Sequence, residues 1–224
     1  MGSETAKSLM AGRIGRVIER SLRRAYGSFA VNQERYLREL RQGHGLPLRT
    51  FRDAFEIHPA ALDQVAARTI AGTRRLAIVE GASFGLGGLL TLLPDVSILG
   101  VITFRLIQKL GLIYGFEFTT EEERAELWLA AASAAGVEAG RDWVKKQVIE
   151  RLAARIAEKA GTELAEKLSA GIVPVVSAGL GATLNGYFIN GWGRRAHGYF
   201  RDKHLEWRDR PAILAERVMP LLKE

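Results

Sequence analysis

Gly81-Ala82-Ser83-Phe84-Gly85-Leu86-Gly87-Gly88-Leu89-Leu90-Thr91-Leu92-Leu93-Pro94-Asp95-Val96-Ser97-Ile98-Leu99 belongs to a stretch, residues 81–104, in which Asp95 is the only charge. No residue pair alternates as a half-buried strand would, and the run is too long for one buried strand. Proline disfavours helix at the residue before it and removes an interior hydrogen bond. The spacing therefore predicts two helices, about 76–92 and 96–114, joined at Leu93-Pro94-Asp95, with Asp95 capping the second. The first holds Gly81, Gly85, Gly87 and Gly88. Each costs a helix about 1 kcal/mol against alanine. Such glycines persist where a second backbone must come very close.

A second apolar stretch, residues 168–193, has no charge at all and contains Pro174, Gly179, Gly181, Asn185 and Asn190. Both stretches reach the roughly 20 helical residues that cross a bilayer. Asp95 and Pro94 divide the first at its middle, where an ionised carboxylate costs about 3 kcal/mol on insertion. Lysines and arginines flank both stretches on every side, so the positive-inside rule gives no orientation. A hidden or peripherally embedded hairpin is favoured over spanning, which stays open.

Outward from these stretches the periodicity is helical. Met10, Ile14, Val17, Ile18, Leu22, Ala25 and Phe29 recur at steps of three or four, with Arg13, Arg16, Arg20, Arg23 and Arg24 on neighbouring faces. Two readings fit: a basic amphipathic helix for an anionic membrane surface or nucleic acid, or a helix packed on the core with a solvated basic face. Residues 43–59 form a connector, and helix resumes near Ala60. Thr119 with Glu122 makes a capping box for a helix over about 120–135. Another helix covers about 138–168, where Gly161 kinks or divides it. A basic aromatic tail over 194–210, starting at Arg194 and Arg195, precedes a last helix over about 211–222. The fold class is all-α: glycine-rich apolar central helices wrapped by amphipathic helices.

Composition excludes several classes. The 224 residues include no cysteine, which removes disulfide scaffolds, cysteine zinc sites and thiol nucleophiles. A hydrophobic fraction of 47% with 25% charged residues excludes disorder. The net charge is +7, concentrated in residues 1–60 and 194–210. Arginines interrupt every apolar run of the first thirty residues, so no secretory signal is expected there. The cytoplasmic side is the expected location.

Chemical motifs are sparse. Gly81-Ala82-Ser83-Phe84-Gly85 matches the G-x-S-x-G elbow, which needs a strand such as Leu76-Ala77-Ile78-Val79 before it to expose the Ser83 hydroxyl. A hydrolase sheet needs further strands, and none is legible. No Walker lysine or dinucleotide spacing exists, so no cofactor is expected. His197 and His204 share a helical face without a carboxylate pattern, so all four histidines are read as surface residues and no metal is expected. Glu80, Asp95, Arg105 and Asn185 are the candidate polar core, since a buried charge must be paired. Asp95 either pairs with Arg105 or Asn185, joining the two stretches, or is only a helix cap. In 194–210, acidic residues dilute the charge to +3, which weakens nucleic-acid binding more than membrane contact.

The order of Glu80-Gly81-Ala82-Ser83-Phe84-Gly85-Leu86-Gly87-Gly88, Leu93-Pro94-Asp95-Val96-Ser97-Ile98-Leu99, Arg105-Leu106-Ile107, Tyr114-Gly115-Phe116 and Glu121-Glu122-Glu123-Arg124 resembles the bacterial EcsC family. Ile172-Val173-Pro174-Val175-Val176, Gly179-Leu180-Gly181-Ala182, Asn185, Arg195-Ala196 and Tyr199-Phe200 extend the resemblance, with Ser177 where a glycine is expected. It covers about 70–200 and leaves the basic region 1–60 outside, which suggests a division at 1–58 and 59–224. The family takes its name from a protein encoded beside an ABC transporter. The resemblance implies a membrane-associated helical accessory protein at the inner membrane and supplies no catalytic residues. Together with the sequence it favours a non-enzymatic protein of an envelope or transporter system. Its partners would be lipid or a membrane protein such as a transporter, with a homo-oligomer left open. Gly81, Gly85, Gly88, Pro94, Pro174, Gly179 and Gly181 would carry helix packing. The arginines at 13, 16, 20, 23, 24, 194 and 195 would meet the membrane. The alternative is a lipid- or ester-directed serine hydrolase using Ser83.

Overall fold

A computed structural model of the chain describes residues 2–26, 31–84, 92–138, 146–169 and 179–210. Among the described residues seven α-helices follow one another: α1 (Gly2–Tyr26), α2 (Gln33–Gln42), α3 (Pro59–Phe84), α4 (Leu92–Ile113), α5 (Glu121–Ala134), α6 (Lys146–Ser169) and α7 (Gly179–Arg208). A 3-10 turn, Phe51–Glu56, lies between α2 and α3, and no strand occurs among the described residues. The all-α expectation therefore holds.

The most extensive packing is α1 on α6 and α3 on α7, with α4 touching α1, α3, α5 and α7. Ile14 and Ile18, one turn apart, are buried, while Arg13, Arg16 and Arg20 are exposed. The helix is thus packed on the core through one face and leaves its basic face exposed. Its partner face on α6 is made of Ala153, Ile156, Ala157, Ala160 and Gly161, all buried. Gly161 does not divide α6. It is where the two backbones cross: a Cβ there would stand 2.6 Å from the Ala11 carbonyl oxygen and 2.8 Å from the Gly15 nitrogen.

Local chemistry sets the helix ends. Asn32 caps α2 by accepting from the Arg35 N–H at 2.9 Å. Pro59 opens α3, a position that needs no amide hydrogen. Gly115, at φ +92°, ends α4, and a Cβ there would also meet the Phe55 ring at 2.7 Å. The cap of α5 lies one residue later than the predicted Thr119–Glu122 box. The Thr120 hydroxyl accepts from the Glu123 N–H at 3.2 Å, and the Glu123 carboxylate accepts from the Thr119 N–H at 3.0 Å.

Three expectations about the apolar stretches change. The predicted helices near 60–70 and 76–92 are one element, the 26-residue α3. Leu93-Pro94-Asp95 is not the junction: all three lie at the start of α4. A proline there breaks nothing, because the first four amides of a helix have no intrahelical acceptor. Asp95 is accordingly inside the helix rather than its cap. The basic aromatic tail is also no tail. It continues the second apolar stretch as the C-terminal half of the 30-residue α7.

That half of α7 faces inward through Ala196, Phe200, His204 and Trp207, spaced by three or four. Phe116 packs edge-on against Trp207 at 4.8 Å, and Phe55 stacks on His204 at 4.8 Å. Earlier in α7, a Cβ on Gly193 would stand 3.0 Å from Leu106 and 3.2 Å from Ile70, which brings α7 close to α3 and α4. The element surrounded on nearly all sides is the alanine-rich α5: Ala125 and every residue from Glu126 to Ala132 are buried. Of the predicted packing positions, Gly85, Gly88 and Pro174 lie outside the described residues. Gly81 is in α3, and Gly179 and Gly181 are in the first turn of α7, their surroundings likewise outside the description. The predicted last helix, 211–222, is also outside it. Among the described residues no helix is long and apolar enough to cross a membrane.

Candidate functional site

Asp63, one residue after the buried Leu62 on α3, organises the main polar cluster. The Tyr114 hydroxyl donates to its Oδ1 at 2.5 Å, and the Arg201 Nε donates to its Oδ2 at 3.1 Å. His197 Nε2 lies 2.7 Å from the Tyr114 hydroxyl oxygen and 3.3 Å from Asp63 Oδ1. Because the tyrosine spends its proton on Asp63, Nε2 is the donor to that oxygen, which places a hydrogen on Nε2. Two turns on from His197, His204 Nδ1 lies 3.0 Å from the Tyr114 carbonyl oxygen and donates to it. The arrangement follows from α7 pitch: His197, Arg201 and His204 fall on one face at steps of four and three. Tyr114 reaches them because Gly115 stops α4 there.

The electrostatics fit the geometry. Burial would raise the Asp63 carboxyl, but the donors Tyr114, Arg201 and His197 overrule it and hold it below the ordinary carboxylate value. Burial first, then the bond to Asp63, pushes the Tyr114 hydroxyl well above the ordinary phenol value. His204 is fully buried, and burial lowers its affinity for a proton, so it is held neutral. The histidines at 197 and 204 are therefore not the surface residues expected. Both Asp63 oxygens are engaged, and the group joins α3, the end of α4 and α7. Among the described residues no set of three His, Asp or Glu side chains is close enough to hold a metal ion.

A second polar group locks the 3-10 turn to α5. Glu123, fully buried, accepts from Thr119 and forms an ion pair with the Arg52 guanidinium, which also donates to the Gly115 carbonyl at 2.8 Å. Burial raises the neighbouring Glu117 carboxyl despite the cation of Arg52. A third group sits on α5 and α7, where the buried Glu126 accepts from the Tyr199 hydroxyl and lies 3.9 Å from Lys203.

Within the predicted polar core, Asp95 does not pair with Arg105. Asp95 and Arg105 are ten residues apart on the same helix, about 15 Å along its axis, beyond the reach of a carboxylate–guanidinium pair. Arg105 is exposed rather than buried. Glu80 and Asn185 lie in α3 and α7, with their side chains outside the described residues. Ser83 continues the helix of α3, as do Leu76-Ala77-Ile78-Val79, so no strand-to-helix turn precedes it. Asp63, Tyr114, Arg201 and the Arg52–Glu123 pair were not legible as a site. The only signal was the spacing of His197 and His204.

Of the predicted membrane-surface residues, Arg13, Arg16, Arg20 and Arg194 are exposed, and Arg23 and Arg24 lie in α1 with side chains outside the description. Arg195 is exposed as well, and its Nε donates to the Ala134 carbonyl at the end of α5. It satisfies a helix C-terminus that would otherwise be unpaired. A stripe not anticipated runs along α3. Arg68, Gly72, Arg75, Leu76 and Val79 are all exposed at steps of three or four, with Arg74 exposed beside them. Leu76 and Val79 keep 55% and 64% of their surface in solvent, among the most exposed large apolar residues described. The helix then leads into the uncharged residues that follow Gly81.

The sequence profile of the EcsC protein family matches residues 4–205. It thus takes in the N-terminal basic helix that the resemblance over 70–200 left out. No curated protein and no solved structure matches the chain significantly.

Proposed function

We propose that this chain, which belongs to the EcsC protein family, is a non-enzymatic membrane-associated accessory protein that docks on an anionic lipid surface. The observation that carries this is the α3 stripe. Leu76 and Val79 stand exposed just beyond Arg68, Arg74 and Arg75, on the helix that runs into the nearly uncharged segment. Aliphatics enter the acyl boundary while arginine stems lie over it and keep their charge at the headgroups. Each arginine near an anionic leaflet contributes about 1 kcal/mol. The exposed basic face of α1 and its exposed Leu9 supply a second contact of the same kind. The polar cluster at Asp63 joins α3 to α7 near the start of α3. Service to a transporter or envelope system is part of the proposal.

The test is flotation of the intact protein with vesicles of phosphatidylcholine, with and without phosphatidylglycerol. Binding that requires the anionic lipid and is reversed by salt is expected. Leu76→Ser with Val79→Ser should weaken it severalfold. Equal recovery on neutral vesicles, or none on either, overturns the proposal.

A further inference from the structure

A groove of about 400 Å³ lies between α2, α3 and α4. Arg35, Arg105 and Lys109 line it against a single acid, Glu39. Arg105 and Lys109 are one turn apart on the same face of α4, and Arg35 faces them from α2. Glu39 lies 3.9 Å from Lys109, whose ammonium also sits 4.7 Å over the Tyr36 ring. Lys109 is thereby partly neutralised and held. Arg35 and Arg105 are both exposed, and neither guanidinium forms a salt bridge among the described residues. The groove therefore carries uncompensated positive charge. Asn32 adds a donor: its side-chain oxygen is taken by the Arg35 N–H, which leaves its amide hydrogens for a ligand. The remaining wall is apolar, with Ile102 and Leu106 from α4 and Leu76 from α3.

We propose that this groove holds one anionic glycerophospholipid, its phosphate on the guanidinium groups of Arg35 and Arg105 and the start of its acyl chains along Leu76 and Ile102. Guanidinium matches phosphate in shape as well as charge. The apolar wall distinguishes a lipid from free phosphate, which would leave Ile102 and Leu76 without use. A phosphatidylcholine headgroup brings a cation into a groove that already holds an excess of them, so the charge selects phosphatidylglycerol. The inference rests on the reading of the α3 stripe as membrane-facing, because Leu76 belongs to both surfaces and its exposed side opens the groove toward the lipid.

The experiment uses short-chain lipids below their micelle concentration, which separates the groove from the membrane. Isothermal titration of the full chain with dihexanoyl phosphatidylglycerol should show saturable binding. Arg105→Gln and Arg35→Gln should each weaken it about tenfold, the loss of one charge-assisted contact. Both residues are exposed, so the variants should keep the native circular dichroism. Arg74→Gln, on the stripe but outside the groove, should bind normally. The proposal is overturned if dihexanoyl phosphatidylcholine binds equally, if inorganic phosphate competes as well as the lipid, or if Arg105→Gln binds like the native chain. Vesicle flotation answers separately for the stripe. Flotation without binding of the short-chain lipid leaves the stripe and removes the groove. Binding without flotation keeps the groove and removes the docking surface.

Discussion

Gly161→Ala tests the crossing of α1 and α6 most directly. The new methyl would stand 2.6 Å from the Ala11 carbonyl oxygen, 2.8 Å from the Gly15 nitrogen and 3.1 Å from the Gly15 Cα. Carbon contacts relax near about 3.5–4.0 Å. All three obstacles are backbone atoms of α1, so no rotamer change relieves them and the helices must part by about 1 Å. Overpacking of this kind costs about 1–3 kcal/mol. Alanine returns about 1 kcal/mol of helix propensity. Separation also loosens Ile14 and Ile18, which are buried on α1. The expected net loss is about 1–2 kcal/mol, or a Tm lower by about 3–6 °C for a chain of this size. The control is Gly72→Ala, in the exposed middle of α3, where a Cβ meets nothing within 4 Å. It should gain up to about 1 kcal/mol from propensity alone. Urea unfolding followed by circular dichroism measures both. A Gly161→Ala protein at least as stable as the parent would refute the close crossing.

Three further outcomes are expected. A double-mutant cycle on Asp63→Ala and Tyr114→Phe should give a coupling energy of about 1 kcal/mol or more, because each removes the other's hydrogen-bond partner; additive losses would mean the bond contributes nothing. Arg52→Leu should cost about 3–5 kcal/mol in urea unfolding, since it leaves the fully buried Glu123 without its cation. Acidification should weaken the fold through His204. Its folded pKa is depressed by burial, so the unfolded chain binds the proton first. The stability is intact above the unfolded value near 6.5 and drains as pH falls from there toward the folded value, by at most about 1.4 kcal/mol per pH unit. The lowered Asp63 carboxyl acts in the same direction but only below its ordinary value of 3.8. His204→Phe should flatten the slope between pH 7 and 5, and an unchanged slope would assign it to another group.

The helices were largely legible because their signals are local. Pro59, Gly115 and the threonines before Glu123 mark ends through backbone chemistry, and Ile14 and Ile18 mark a face by spacing. Pro94 misled for an equally local reason: whether a proline breaks a helix depends on how far upstream the helix begins. Gly161 was noticed but read as a kink, since nothing nearby in sequence shows that Gly15 lies against it. The Asp63 cluster escaped altogether. Its members come from α3, the end of α4 and α7, and Asp63 lies 134 positions from His197. Periodicity carries no information across such a gap. The capping role of Arg195 was hidden because the carbonyl it satisfies, Ala134, ends a helix 61 residues earlier.

The burial of α5 has a consequence for the chain's time scales. An amide exchanges its hydrogen with solvent only when water reaches it. The helix termini and the exposed face of α3 offer local openings. From Ala125 to Ala132 no residue has a solvent side. Exposure of that backbone requires α4, α6 or α7 to come away, which is most of the molecule. In deuterium these amides should therefore be the last to exchange, at a rate set by the whole fold coming apart. The middle of α5 is thus a built-in clock for global unfolding, against which loosening of the other helices can be timed.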